Sequence, residues 1–314
     1  MHARPMVADA HCDFLFNMAQ GLQSITDEPG PDKHITLRSL EEGRVGLQFF
    51  AVWLDEKSGD HPLEKALESV NCFYRMLEQS QGRIYLMDRK KPPCAAWDGR
   101  TAAVLVLEGG SCLLGSKDIL DIFYRLGVRV ISLTWNQKNA LACGAAVKKD
   151  TGLTPEGKEI LMEMDRLNIA LDVSHLSRKS FWDALEVYRR PVIASHSNAC
   201  GVFEHPRNLD DAQIKAVISS KGFIGVNYFP GFLGEKDVSA ADICRHIDHI
   251  VSMGGQDCVG LGSDFDGIKT MPEGISGPAD VYKIAKGLAK MGYPEERIMK
   301  ITYGNLINYI IKFL

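Results

Sequence analysis

Residues 154–175, TPEGKEILMEMDRLNIALDVSH, hold one complete unit of the fold. Thr154 followed by Pro155 opens a helix, as an N-cap threonine with proline at the first helical position does. Ile160, Leu161, Met164 and Leu167 then recur at helical spacing. From Ile169 the period changes to a short, nearly continuous apolar run that ends on His175. A strand this apolar is one buried on both faces, as in a parallel sheet.

The same alternation extends outward in both directions. Strands are expected at 6–13, 45–53, 101–109 and 128–135 before this unit, and at 191–197, 222–229 and 257–265 after it. Helices are expected at 62–79, 177–188, 210–220 and 239–255, with two more between Gly277 and the C-terminus. Eight β-then-α units in 314 residues, with no linker, repeat or low-complexity segment between them, predict an α/β fold. The expected architecture is a (β/α)8 TIM barrel forming a single domain over 1–314. A doubly wound open sheet is the competitor, but no G-x-G-x-x-G opens a helix after the first strand. EGGSCLLG (108–115) has the wrong spacing for that loop.

The composition, 45% hydrophobic and 24% charged, is that of an ordinary soluble protein. A net charge of -4 gives no reason to expect nucleic acid or an anionic membrane as partner. No run of about 18 apolar residues occurs, and the first residues lack the apolar stretch of a secretory signal. INYIIKFL, at the C-terminus, is short for a lipid-anchor tail and reads as the last turns of a packed helix. The eight cysteines are scattered without a C-x-x-C pair. That pattern fits thiols kept reduced, so a cytoplasmic location is the expectation.

The residues suited to chemistry fall at the C-terminal ends of these strands. His11 and Asp13, in DAHCDFLF (9–16), end the first strand two residues apart and so point to one side, while Cys12 points to the other. Glu108 ends VLEGG, His175 ends DVSH, His196 lies in ASHS and Asp264 in GSDFDG. In a barrel these ends converge on one mouth, where active sites are built. A lone strand histidine is more often a satisfied core residue than a ligand. Buried carboxylates, however, cost several kcal/mol unless paired or metal-bound. Three imidazoles and three carboxylates together suit Zn²⁺ or a similar divalent ion. The set exceeds the three protein ligands of one catalytic zinc, and Glu108 could bridge two ions about 3.5–4 Å apart.

Other polar residues read more plainly. His246 and His249, three apart on a helix, are expected on a solvated face. His205 is a loop residue close to the mouth through Arg207, and Asp266 either supports the site or makes a turn. Asn227 and Tyr228, ending a strand, are candidates to line the pocket. The end of the fourth strand carries no lysine, which argues against a carbamylated-lysine bridge.

Taken together, DAHCD, LEEGRVGLQFF, VLEGG, TGLTPEGKEILMEMDRLNIALDVSH, PVIASHS, RNLDD, GFIGVNYF, GLGSDFDG and the late GN resemble the membrane (renal) dipeptidases and their bacterial relatives, a group of amidohydrolase-like metal barrels. The resemblance covers nearly the whole chain. It implies a dinuclear zinc site, with His11 and Asp13 on one Zn²⁺ ion, His175 and His196 on the other, and Glu108 bridging. It further implies Asp264 as the acid/base and Arg207 as the grip on a substrate carboxylate, for which a planar guanidinium is suited. The implied reaction is hydrolysis of a dipeptide, L,D-dipeptides included, by a hydroxide shared between the metals, in an enzyme that could form a homodimer. One departure stands out: mammalian relatives place a histidine after LT, and this chain places Trp135 there. An indole has one N–H donor and no cationic form, so Trp135 is expected to shape the pocket as a substrate contact, as is Tyr228. Asn136 or Asn139 would then supply a donor. That departure keeps another metal-dependent amidohydrolase activity (N-acyl amino acid deacylase, lactonase or deaminase) as the alternative. A non-enzymatic binding protein is less consistent with a full ligand set.

Overall fold

Nine parallel strands make up the sheet of this computed structural model, which describes residues 4–54 and 61–313. They are β1 (Val7–Asp9), β2 (Val45–Trp53), β3 (Ile84–Leu86), β4 (Thr101–Glu108), β5 (Val128–Ser132), β6 (Ala170–Asp172), β7 (Ile193–Ala194), β8 (Phe223–Val226) and β9 (Val259–Leu261). Eight close a ring in the order β1-β2-β4-β5-β6-β7-β8-β9, with β9 pairing back onto β1. With helices between the strands, this is the expected (β/α)8 barrel. The sequence reading missed β3, which pairs with Thr101–Ala103 of β4 while β5 pairs with Leu105–Glu108. It is a short satellite strand outside the ring.

Alternate residues of β4 divide between two clusters, as a period of two requires. Ala102, Val104 and Val106 join Leu47, Phe49, Val130, Ala170, Ile193 and Phe223. These residues come from strands all around the ring, so this cluster fills the barrel interior. Leu306, Tyr309, Ile310 and Phe313 complete it. The segment 306–313 is therefore a plug across the bottom of the barrel. Tyr309 Oη donates to Pro191 O and Asn168 Nδ2 to Lys312 O, tying the plug to the starts of the neighbouring strands. Ala103, Leu105 and Leu107 face the larger cluster beneath the helices.

Several strands stop short of their expected ends, and the reason is chemical. Asp9 Oδ1 accepts the N–H groups of His11 (3.2 Å) and Ser263 (2.9 Å), just after β1 and just after β9. Asp172 Oδ1 does the same for Ser174 (2.9 Å) and Ser195 (3.1 Å), just after β6 and β7. Two buried carboxylates thus replace the backbone ladder where the strands reach the mouth. Beyond them the chain leaves regular β geometry and can aim side chains individually.

The helices begin where their caps say. Pro62–Gln79 matches expectation, and Thr154 Oγ1 accepts from the Gly157 N–H at 3.0 Å to cap Pro155–Leu167. Ser177 caps Arg178–Val187, and Asp210 with Gln213 forms a capping box on Asp211–Ser219. The short helices Phe14–Ala19, Leu37–Glu42, Lys117–Arg125 and Pro230–Leu233 were not anticipated. One expectation needs correcting on the helix Ala240–Ser252. His246 does not face solvent: it is fully buried, its Nδ1 accepting the Ala199 N–H and its Nε2 donating to Leu233 O. Only His249 lies toward the surface, against Asp211 at 2.9 Å.

Candidate metal centre

Five of the six residues expected at the mouth are buried there, and Asp264 is half-buried. Glu108, the last residue of β4, sits between the histidines. Its Oε2 lies 3.3 Å from His11 Nε2, and its Oε1 lies 2.8 Å from His175 Nε2 and 3.5 Å from His196 Nε2. His11 Nε2 is also 3.6 Å from Asp13 Oδ2. The two carboxylate oxygens of Glu108 therefore face two different groups of donors. His11, Asp13 and Asp264 also offer ligand atoms within 4.8 Å of one another, as do His11, Glu108 and His196.

The donor set fits divalent cations. His11 Nε2, Asp13 Oδ1 and Glu108 Oε2 are buried without a hydrogen-bond partner, a costly state that metal coordination resolves. His175 and His196 bring their Nε2 atoms within 2.7 Å of each other, a crowding suited to neutral imidazoles turned toward a shared cation. Burial holds the His196 pKa well below its usual value, with His11 and His175 adding to the effect. Burial and the Arg207 charge lower that of His175. At His11 burial also acts downward, but the Glu108 and Asp13 carboxylates outweigh it and push the pKa well up. That corner of the site demands positive charge.

A second layer sets the histidine tautomers. Ser195 Oγ donates to Asp172 Oδ2 at 2.5 Å, so it accepts from His196 Nδ1–H at 2.7 Å and leaves the Nε2 lone pair free. Asn136 Oδ1 accepts from His175 Nδ1–H at 3.0 Å with the same result. Ser174 Oγ donates to Asp172 and accepts the His196 N–H. Sequence reasoning passed over Asp9, Asp172 and Ser195. The available signal was an acid two or three residues before each of two strand-end histidines, in DAH and DVSH.

Asp264 follows β9 in a left-handed conformation (φ 66°), which aspartate tolerates. Its Oδ2 accepts from Asn227 Nδ2 at 2.9 Å, and it borders the cavity. Gly267 permits its approach to Asp13: a Cβ there would lie 2.0 Å from Asp13 Oδ2 and 2.6 Å from Asp264 Oδ1. Arg207 is buried and donates to Ser174 O, while its second terminal nitrogen lies 3.1 Å from His175 Nε2. Burial lowers its pKa to about 10, so it stays cationic at neutral pH. Among the described residues it makes no ion pair, and a buried guanidinium calls for an anion. His205 Nδ1 accepts the Arg207 N–H and its ring packs on Phe232, which holds the arginine loop.

Asp13, Glu108, His175, His196, Arg207 and Asp264 border one cavity of about 860 Å³. Trp135 lines it, packed edge-on against Trp53 with centroids 5.4 Å apart. Asn136 also lines it, whereas Asn139 is consumed within its own loop, donating to Leu133 O and accepting from Leu141 and Ala142. Tyr228 is corrected as a pocket residue: it is fully buried, edge-on to Phe265, and the cavity wall is made by Phe229 and Phe232 instead. The β8 segment turns after Asn227, whose Oδ1 accepts the Phe229 N–H, and this reverses which aromatic faces the mouth. Asp266 is structural, accepting the His34 and Ile35 N–H groups.

Comparison with known proteins agrees with this geometry. Residues 1–312 match the sequence profile of the family described as membrane dipeptidase, peptidase family M19. An uncharacterized dipeptidase of Schizosaccharomyces pombe is 32% identical over 92% of this chain and 74% of its own. The dipeptidase tcpJ of Claviceps purpurea is 31% identical over 88% of this chain and 68% of its own. Among solved structures, a metallopeptidase from Rhodobacter sphaeroides liganded with a phosphinate mimic of L-Ala-D-Ala superimposes with a TM-score of 0.90. It is 26% identical, with 99% of this chain and 100% of that one covered. The metallopeptidase called dipeptidase AC gives 0.88 at 27% identity, with 99% of each chain covered.

Proposed function

This chain belongs to the membrane dipeptidase family, peptidase family M19, and is a metal-dependent dipeptidase; we propose that its mouth holds two zinc ions and cleaves dipeptides, L,D-dipeptides included. The observation that carries the proposal is Glu108, with one oxygen toward His11, which itself lies 3.6 Å from Asp13, and the other toward His175 and His196. His11 and Asp13 would hold one ion, His175 and His196 the other, and Glu108 both. When bound, such a pair supplies Lewis acidity toward the amide carbonyl and a water acidified toward neutral pH.

The chain's own residues do the remaining work. Arg207 binds the substrate's terminal carboxylate from its buried, unpaired position beside His175, fixing the distance from that end to the scissile bond. Asp264 takes the proton of the attacking water and returns it to the departing amine, with Asn227 holding its Oδ2 so that Oδ1 stays available. Trp135 and Trp53 wall the cavity and exclude water from the amide. Trp135 stands in place of a hydrogen-bonding histidine, so Asn136, which borders the cavity, is the side-chain amide placed to meet the developing oxyanion. A reducing compartment such as the cytoplasm belongs to the same proposal, supported by eight free thiols.

The test joins metal analysis with a dipeptide panel. The expected result is about two zinc ions per chain, hydrolysis lost on chelation and restored by zinc, and no activity in Glu108→Ala. Hydrolysis retained by metal-free protein would overturn the reading.

A further inference from the structure

The two ends of the cavity differ in a way that bears on which dipeptides fit. Arg207 lies in the segment after β7, and Phe232, after β8, sits under its guanidinium at 5.5 Å with Phe229 against it at 4.9 Å. This end takes the C-terminal residue. Four positions around the eight-strand ring from β7 stands β2, which ends in Trp53. Trp53 packs edge-on against Phe16 (4.7 Å, 74°) and against Trp135 (5.4 Å, 69°), and Trp135 reaches to His175 at 6.2 Å. Phe16, Trp53 and Trp135 all line the same cavity, and they come from the helix Phe14–Ala19, from β2 and from the loop after β5. The contacts between them lock each ring against the next, so the wall is preformed.

Resting on the dipeptidase reading, we infer that this aromatic wall is the pocket for the side chain of the substrate's N-terminal residue and selects a bulky apolar one, aromatic or branched aliphatic. A dipeptide held at Arg207 with its amide over Glu108 must extend its other residue toward β2. The surface it meets there presents the faces and edges of these three rings. Apolar area gained on such a wall stabilises the complex by about 25 cal/mol per Å². A glycine or an acidic residue at that position leaves the wall exposed or forces a carboxylate against indole faces. The cavity of about 860 Å³ is generous for two small residues and leaves room for a ring.

The test is a series of zinc-loaded assays with Phe-, Leu-, Gly-, Asp- and Lys-Ala, each with L- and D-alanine. The expected kcat/KM for the Phe and Leu substrates exceeds that for Gly by at least about tenfold, the scale an apolar pocket gives. Trp53→Ala and Trp135→Ala should each bring the Phe/Gly ratio below about threefold. Gly-, Asp- or Lys-Ala turned over as well as Phe-Ala overturns the inference while leaving the dipeptidase reading intact. No hydrolysis of any dipeptide overturns both. The wild-type series decides by itself, whether or not the tryptophan variants fold.

Discussion

Ser195 shows how much of a candidate metal centre lies behind the residues that would hold the ion. Its hydroxyl does two things at once: it donates to Asp172 and thereby obliges His196 to donate from Nδ1. The ring is then fixed in the tautomer whose Nε2 faces Glu108. Ser195→Ala removes that coupling and leaves the imidazole free to turn. The expected outcome is metal affinity weakened by about 10–100-fold, read by competition with a chromophoric chelator, with the folded state retained by circular dichroism. Unchanged affinity would show that packing alone orients the ring. His11, Glu108, His175 and His196 were legible from residue type and position on the strands. Ser195 was not, because a serine in an apolar run carries no chemical signal until its neighbour across the barrel is known.

At the scale of elements, the helix Ala240–Ser252 is coupled to the loop after β7 through one titratable ring. His246 accepts the Ala199 N–H on Nδ1, and burial lowers its pKa from 6.5 to about 4. The unfolded chain binds a proton at this residue below about pH 6.5, and the folded chain does so only below about 4. Stability therefore falls as pH drops through that window. The loss reaches about 3 kcal/mol once pH is below both values. Urea midpoints between pH 7 and 4 should show this fall in the wild type and a smaller one in His246→Asn, which cannot titrate. Equal pH dependence in the two proteins would place the sensitivity elsewhere. Helical periodicity put His246 and His249 near one face, but it could not say that Ala199 and Leu233 cover the first of them.

The whole molecule is a barrel closed below by its own C-terminus and left polar above. Tyr309 and Phe313 seal the bottom, while acids and histidines crowd the mouth with several of their polar atoms buried and unpartnered. Metal binds this folded arrangement and not the unfolded chain, so it stabilises by mass action, about 4 kcal/mol at a free concentration a thousand times Kd. Chelation should lower Tm by roughly 5–10 °C in differential scanning calorimetry, with recovery on adding zinc. A Tm indifferent to chelator would mean that the centre holds no tightly bound ion.

The sequence by itself determined the barrel, because eight apolar runs separated by amphipathic segments have few other ways to bury both faces of a parallel sheet. It also pointed to the candidate donors, since carboxylates and imidazoles at buried strand ends are costly unless paired or metal-bound. Only the tertiary structure decided where the strands stop, which depends on Asp9 and Asp172 capturing backbone N–H groups from neighbouring strands. It also decided that Phe229 and Phe232, and not Tyr228, face the substrate, because the chain leaves the period of two at Asn227. The aromatic wall belongs to the same class: Phe16, Trp53 and Trp135 are 37 and 82 residues apart in sequence, and closure of the ring brings them into contact. Local pattern reports what a residue needs; which partner meets that need is settled across the barrel.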